Sequence, residues 1–434
     1  MNKPEIFQPE IRIKKVSIEN FRGFENIELE FQSDITVLIG ENGAGKTAVL
    51  DCLALLLTIL KECIQYQTFK AENFKEFFHS LDIRQKSAKT TNRISLFLGN
   101  EELYWEAGLK RNFNNYALLL DEILPIESVI QQLFYERKTT ENRINLPLIV
   151  YYPASNAPVN SIDFKNASDN FTTNIFSAYE GALDKKSFDF VNFFNWYKWQ
   201  ENIEKQIGEN KTLDTVRDAI YNILSDEHNQ FDKLSINWLN NPNGEMMICK
   251  GETPLNINQL SSGEKTLLTL VADLARRLAI ANPHRENPLI GNGVILIDEV
   301  DLHLHPRWQR ALVPQLQKTF PNCQFIVTTH SPLVLSNISH KKVIILEDFQ
   351  PVKITPHTFG RDNNSILYEL MGVKQRPDEM QQQFDKVYEL IDDGKKCEAR
   401  TLLKVLSKDL GENDIAIAQA YVSLDFMDID DESN

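Results

Sequence analysis

Cysteine is scarce in this chain and poorly placed for cross-linking. Cys52, Cys63, Cys249, Cys323 and Cys397 lie far apart in 434 residues, with no Cys-x-x-Cys and an odd total. That excludes a disulfide framework and a zinc ribbon and fits a reducing compartment. Long apolar runs are missing too. The longest, Ala48 to Leu60, is too short to span a bilayer and is broken by Asp51, and Met1 to Glu5 lacks the basic-then-apolar layout of a signal peptide. The expectation is a cytoplasmic protein with no membrane partner. Bases are outnumbered, 46 Lys and Arg against 61 Asp and Glu, for a net charge of -15. This argues against a uniformly basic nucleic-acid coat and leaves room for a local basic groove. What is present is ordinary globular material, 42% hydrophobic and 25% charged, enough for a sizeable core. At ~150 residues per domain, the length suggests about three units, or one interrupted domain with an appendage.

Apolar and polar residues alternate from Ile11 to Ile18 and from Ile27 to Phe31 around a turn holding Asn20-Phe21-Arg22-Gly23, which reads as a hairpin. A buried strand over Ile35 to Ile39 follows, then a glycine-rich turn, then a helix from Lys46 to about Cys63. Residues 64–249 form a long mixed segment without repeats, heptads or low complexity. It holds an apolar strand from Leu146 to Tyr152, ended by Pro153, and an aromatic cluster of Phe188, Phe190, Phe193, Phe194, Trp196, Tyr197 and Trp199. Aromatics that dense read as core or interface ahead of a base-stacking platform. From Leu260 an α/β pattern returns: a helix from about Glu264 to Ala281, strands over Val294 to Ile297 and Gln324 to Thr328 with an amphipathic helix near Arg307 to Thr319 between them, and a strand from Lys342 to Leu346. The last part reads as helices at roughly 363–371, 377–393, 396–409 and 413–424, then an acidic tail with Asp425, Asp428, Asp430, Asp431 and Glu432. Such a tail is a solvated end or a docking peptide.

The chemistry concentrates in four places. Gly40-Glu41-Asn42-Gly43-Ala44-Gly45-Lys46-Thr47 matches G-x-x-x-x-G-K-[ST] in full, between strand and helix. Its glycines let backbone N–H groups curl around a β-phosphate, the helix N-terminus adds positive charge, Lys46 reaches the β/γ-phosphates and Thr47 can ligate Mg²⁺. The run Val294-Ile295-Leu296-Ile297-Asp298-Glu299 is a buried parallel strand delivering carboxylates to the edge of the sheet. There Asp298 would hold Mg²⁺ through water and Glu299 would polarise the attacking water; an Asp-Glu pair standing alone would be a common turn. Gln259-Leu260-Ser261-Ser262-Gly263-Glu264-Lys265 opens a helix and offers Ser261 and free N–H groups to an anion, or is simply an N-cap. Phe325 to Pro332 is a second buried strand ending in His330, a histidine that elsewhere would be a core residue.

In this order, Asn20-Phe21-Arg22-Gly23-Phe24, Gly40 to Thr47, Leu260 to Lys265, Asp298-Glu299 with Asp301 behind it, and His330 resemble the ABC-type ATPases of the RecF, SMC and OLD-like branch, over about residues 11–63 and 255–346. The resemblance implies an α/β fold: a P-loop ATPase head with a mixed sheet, its antiparallel strands N-terminal. Residues 1–63 and 250–360 would be its two parts, 64–249 an insertion, and 361–434 a helical extension. It also implies that ATP lies between two heads. Ser261 and Gly263 of one copy would then face the γ-phosphate held by Gly40, Asn42, Gly43, Gly45 and Lys46 of the other. Asp301 would act across that interface, His330 would contact the γ-phosphate, and Arg22 would lie near the nucleotide. His303 and His305 fall where the family has Leu-His-Pro, so they read as structural rather than metal-binding. Ser262 and Glu264 replace the Gly and Gln usual in transporters. The family's Q-loop is not evident in the sequence.

Lys46 and Ser261 are too far apart for a transporter ATPase, and no heptads mark an SMC arm. No Toprim pattern of strands with Glu and Asp-x-Asp follows His340, and no HNH motif is evident. The layout is most similar to the ATPase subunits of Septu and retron defence systems, whose partner is an HNH nuclease. The expectation is therefore a homo-oligomer, a dimer or multiple of dimers, with a nuclease effector and with DNA or RNA left open. The alternatives are a PARIS-type ATPase subunit and a RecF-like repair ATPase, the latter calling for a basic groove. The best candidate for one is Lys110, Arg111, Arg137, Lys138 and Arg143, a set that otherwise reads as a solvated face.

Overall fold

The computed structural model describes residues 6–66, 68–70, 78–112, 115–132, 143–154, 174–184, 190–239, 241–353, 356–373 and 376–432, with the side chains of 6, 7, 143 and 428–432 outside the description. Phe188, Arg137 and Lys138, and the side chain of Arg143, lie outside it too. The chain divides into two compact units, Met1–Ile366 and Leu367–Asn434.

The first unit is built on two sheets with a helix between them. Strands β1 (Ile11–Glu19) and β2 (Asn26–Glu30) form the expected hairpin, and β3 (Ile35–Gly40) leads through the glycine loop into α1 (Lys46–Tyr66). Then come β4 (Lys89–Leu98), β5 (Glu101–Arg111), β6 (Tyr116–Asp121), α2 (Ile123–Ile130) and β7 (Leu148–Tyr152). They are followed by α3 (Phe190–Ile207), α4 (Lys211–Leu224), β8 (Phe231–Asn237), β9 (Glu245–Lys250) and β10 (Thr253–Asn256). Next are α5 (Ser262–Ala281), β11 (Gly293–Ile297), α6 (Pro306–Thr319), β12 (Cys323–Thr328), β13 (Val343–Glu347) and β14 (Gln350–Pro351).

The central sheet has the order β14-β13-β3-β12-β11-β7, parallel throughout except for the β14 edge. Its inner strands β3, β12 and β11 are buried on both faces, which is why they read as unbroken apolar runs. The second sheet is antiparallel, in the order β2-β1-β4-β5-β6. Helix α1 is apolar nearly all round because it packs against both sheets, and the Trp105 indole of β5 donates to Leu56 O at 3.1 Å. The sheets are also joined by buried Gln324 of β12: its side chain accepts from Ile13 N at 2.7 Å and donates to Ile13 O and Gln32 O, both at 2.8 Å. This side chain replaces a ladder partner where β1 shifts register between Ile13 and Lys15.

Segment 64–249 is therefore not one inserted body. Its strands β4–β6 extend the N-terminal sheet, β7 closes the central one, and β8-β9-β10 form a sheet of their own leading into α5. The aromatic cluster is core in α3, with Phe190, Phe193, Phe194, Trp196 and Tyr197 buried and only Trp199 substantially exposed. Among the basic residues that a groove would need, Lys110 and Arg111 end β5, and Arg111 donates to Ile83 O at 3.4 Å.

Helix α7 (Asn363–Met371) spans the division between the units. The second unit packs α8 (Asp378–Asp392), α9 (Lys396–Leu410) and α10 (Ile415–Glu432) around Phe384, Val387, Ile391, Ala399, Leu403, Leu406, Ile417, Ala420 and Leu424. The acidic end is part of α10 rather than a separate tail: Arg400 pairs with Asp425 at 2.7 Å and Lys396 Nζ donates to Met427 O at 2.7 Å. Among the described residues, no helix is long and apolar enough to cross a membrane.

Candidate functional site

The parallel strands deliver their C-terminal ends to one edge of the sheet: Gly40 from β3, Tyr152 from β7, Ile297 from β11 and Thr328 from β12. In open α/β sheets, ligands bind at that edge. The loop from Gly40 to Thr47 leaves β3 there. Gly43 and Gly45 have φ of +88° and +103°, and a Cβ on Gly45 would meet Phe24 at 2.5 Å, so glycine is required at this position on both counts. Phe24 belongs to the Asn20–Phe24 turn and stacks edge-on with Phe349, ring centroids 5.2 Å apart. The two rings form a floor under the loop.

Lys46 is buried and donates to Gly40 O and Glu41 O, both at 2.9 Å. Burial pulls its pKa below the ordinary lysine value, while the charges of Asp298 and Glu299 oppose that shift. Thr47 Oγ1 donates to Asp298 Oδ2 at 2.9 Å, across 251 positions of sequence. Thr328 supplies what the sequence did not announce: its hydroxyl donates to Asp298 Oδ1 at 2.6 Å and accepts from Glu299 N at 2.7 Å. Tyr152 O accepts from Asp298 N at 2.8 Å. Glu299 is thereby held at φ +50°, a backbone conformation that costs ~1–3 kcal/mol for a residue with a side chain and persists where its surroundings enforce it. A cavity of about 60 Å³ adjoins it, lined by Tyr152, Thr266, Thr269 and Asp298 to Val300. That is room for a few waters, and Thr269 Oγ1 is a buried polar atom without a hydrogen-bond partner among the described groups.

Arg22 is held by two carboxylates. Its guanidinium pairs with Asp51 at 2.7 Å and Asp82 at 2.9 Å, and its φ is +51°; Asp51 also accepts from the Tyr151 hydroxyl at 3.0 Å. Arg22 thus ties the Asn20–Phe24 turn to α1. Asp301 accepts a short hydrogen bond from Thr329 Oγ1, and Thr329 Oγ1 accepts from Ser331 N at 2.9 Å. The exposed His330 stands between those two residues. His305 caps α6, its ring Nδ1 accepting from Arg307 N at 3.4 Å. Asn42 is exposed on the loop.

The Ser261 segment is a capping box. Ser261 N donates to Glu264 Oε2 at 2.7 Å, Glu264 N donates to Ser261 Oγ at 3.3 Å, and Lys250 Nζ at the end of β9 reaches Glu264 Oε1 at 2.7 Å. Burial would raise the Glu264 pKa, but Lys250 and the Ser261 N–H hold it below the usual carboxylate value. None of the hydrogen bonds described for Ser261 and Glu264 reaches Gly40 to Thr47. The folded chain brings together Thr47, Asp298, Glu299 and Thr328 through hydrogen bonds, and the helix that Ser261 caps sends Thr266 and Thr269 to the cavity beside them. A Cβ on Gly263 would meet His303 O at 2.7 Å, backbone that cannot simply rotate away. Gly263→Ala is expected to destabilise the fold by ~1–3 kcal/mol, the cost of overpacking, seen as a lowered midpoint of urea unfolding.

This strand order, with a glycine loop on one strand and carboxylates on the next but one, defines a P-loop ATPase head. The chain is an ATPase of that class. A family model described as "AAA ATPase domain" matches residues 12–94, and one described as "AAA domain, putative AbiEii toxin, Type IV TA system" matches residues 126–336. Among known proteins this chain is similar to two retron ATPases and to a Septu protein. The chain is 28% identical to "Retron Ec83 probable ATPase" of Escherichia coli, over 96% of this chain and 87% of that protein. It is 29% identical to "Retron Vc95 probable ATPase" of Vibrio cholerae serotype O1 biovar El Tor, over 82% and 78%. It is 23% identical to "Septu protein PtuA" of Bacillus mycoides (strain KBAB4), over 91% and 50%. Among solved structures, an SMC head domain from Pyrococcus furiosus aligns over 80% of this chain and 96% of that one, with TM-score 0.47 and 16% identity.

Proposed function

We propose that this chain is the ATP-binding and hydrolysing subunit of an anti-phage defence complex. Two copies grip each nucleotide between them, and the nucleotide state holds or releases a separately encoded nuclease. The observation that carries the reading is the convergence of Thr47 Oγ1 and Asp298 Oδ2 at 2.9 Å, with Glu299 fixed by the Thr328 that also holds Asp298. A hydroxyl beside a carboxylate is an all-oxygen donor set suited to a hard cation. Bound there, Mg²⁺ would supply charge neutralisation at the β/γ-phosphates.

Lys46 stands ready to exchange two carbonyl contacts for phosphate oxygens, and Gly40 to Gly45 offer backbone N–H groups to the same anion. Glu299 orients and deprotonates water in the adjoining cavity. Ser261 and Gly263 serve the triphosphate of the partner copy. Asp301 and His330 act at the same seam, on the γ-phosphate side. The retron and Septu relatives support the defence setting.

Replacing the lysine tests the first step. Lys46→Ala removes a charged donor serving two phosphates, at ~1.5–3 kcal/mol for each hydrogen bond, so ATP affinity should fall at least about 100-fold by titration calorimetry. Affinity within threefold of the unmodified protein would remove Gly40 to Thr47 from the site.

A further inference from the structure

Helix α10 carries a second apolar face that its own bundle does not use. Ile417, Ala420 and Leu424 pack inward among the core of the second unit. At the alternate helical positions Ile415, Ala418, Val422 and Phe426 point outward, with Ile415 75%, Val422 53% and Phe426 65% exposed. The spacing of three and four residues keeps them on one stripe. Tyr388 of α8, 38% exposed, faces the same stripe across an open groove of about 620 Å³, with Asn413 and Gln419 at its edges. Large apolar side chains aligned along an open groove mark a binding surface more than a surface left to water.

The surroundings specify the occupant. Between Leu367 and Asn434 there are sixteen acidic and eight basic side chains, a net charge of -8 out of -15 for the whole chain. Arg376 with Asp414, Arg400 with Asp425 and Lys395 with Asp393 form ion pairs that cancel one for one and leave that net charge unchanged. A second copy of this unit would bring the same net negative charge to the contact, whereas a basic helix would be drawn in by that charge and seated on the stripe. We infer that the α8–α10 groove docks a basic amphipathic helix of a partner protein, whose apolar residues at i, i+3/i+4 and i+7 seat on Ile415, Ala418 and Val422 in the groove and continue onto exposed Phe426 beyond it. Identifying that partner with the nuclease rests on the function proposed above; the groove and the class of ligand do not.

The test uses the full chain carrying Lys46→Ala, without nucleotide, and a fluorescently labelled synthetic 18-residue helix with leucine on one stripe and lysine elsewhere. Two control peptides accompany it: the same composition scrambled, and the leucine stripe with glutamate in place of lysine. Anisotropy should show the striped basic peptide binding at least tenfold more tightly than either control. Val422→Glu and Phe426→Glu, both at exposed positions and checked for unchanged helicity, should each weaken it at least tenfold. Equal binding of the scrambled peptide would reduce the effect to charge alone and overturn the inference, as would unaltered binding by both variants. A fall in oligomer mass on Val422→Glu with no peptide present would assign the groove to a second copy instead. Because nucleotide is absent throughout, failure here leaves the ATPase reading untouched, and failure of the Lys46 and Glu299 predictions leaves this result standing.

Discussion

Glu299→Gln is expected to bind ATP with unchanged affinity and to hydrolyse it about 100- to 10,000-fold more slowly, the range a positioned general base supplies. The substitution is nearly isosteric, so the contacts that position residue 299 are kept: its N–H still meets Thr328 Oγ1, and the φ of +50° is still imposed by that contact. What is lost is the ability to take a proton from water in the cavity beside it. Single-turnover hydrolysis with a parallel binding titration separates the two quantities. Hydrolysis within threefold of the unmodified rate would show that another group activates the water and would dismiss the role given to Glu299.

Asp273→Ala is expected to be the most destabilising single change. Asp273 is fully buried on α5, pairs with Arg276 at 2.7 Å and Arg277 at 2.6 Å, and accepts from the Tyr152 hydroxyl at 2.9 Å. Burial acts to raise its pKa, but Arg277 and Arg276 outweigh it and hold the carboxyl below the ordinary aspartate value. Removing it leaves two guanidinium groups in the interior without their counter-charge, a loss of ~3–5 kcal/mol. A depressed carboxylate stabilises the fold above its unfolded pKa of ~3.9, and the contribution fades only as pH falls through the lower folded value. The deficit measured by urea unfolding should therefore be constant above about pH 5 and shrink in acid. Tyr152 meets Asp273 through its hydroxyl and Asp298 N through its backbone carbonyl, so the second contact does not depend on the first. A change below 1 kcal/mol would mean that the cluster is replaceable by packing.

Much of the site was legible in the sequence because its chemistry is local. A glycine loop between strand and helix, or carboxylates at the end of an apolar run, needs only neighbours in sequence to be recognised. The strands of the parallel sheet were equally plain, since burial on both faces leaves no polar alternation. What escaped depends on distant partners. Thr328 reads as one more β-branched strand residue, and the placement of β12 beside β11 gives its hydroxyl Asp298 and Glu299 to hold. The guanidinium of Arg22 finds Asp51 and Asp82, 29 and 60 positions away, which no spacing announces. Strands β4–β6 join β1 across a gap of about 70 residues, so the stretch after α1 looked like an insertion although it completes a sheet. The acidic end looked like a tail because apolar periodicity lapses after Leu424, yet Arg400 and Lys396 from α9 keep the helix going.

The central claim is that a triphosphate is enclosed by two copies of this polypeptide, and light scattering on size-separated protein tests it most directly. With ATP and Mg²⁺, Glu299→Gln should show twice the mass it has without nucleotide, and adding Ser261→Ala to the same chain should return it to the smaller value. An unchanged mass with ATP bound, or a doubling indifferent to Ser261, would contradict the account.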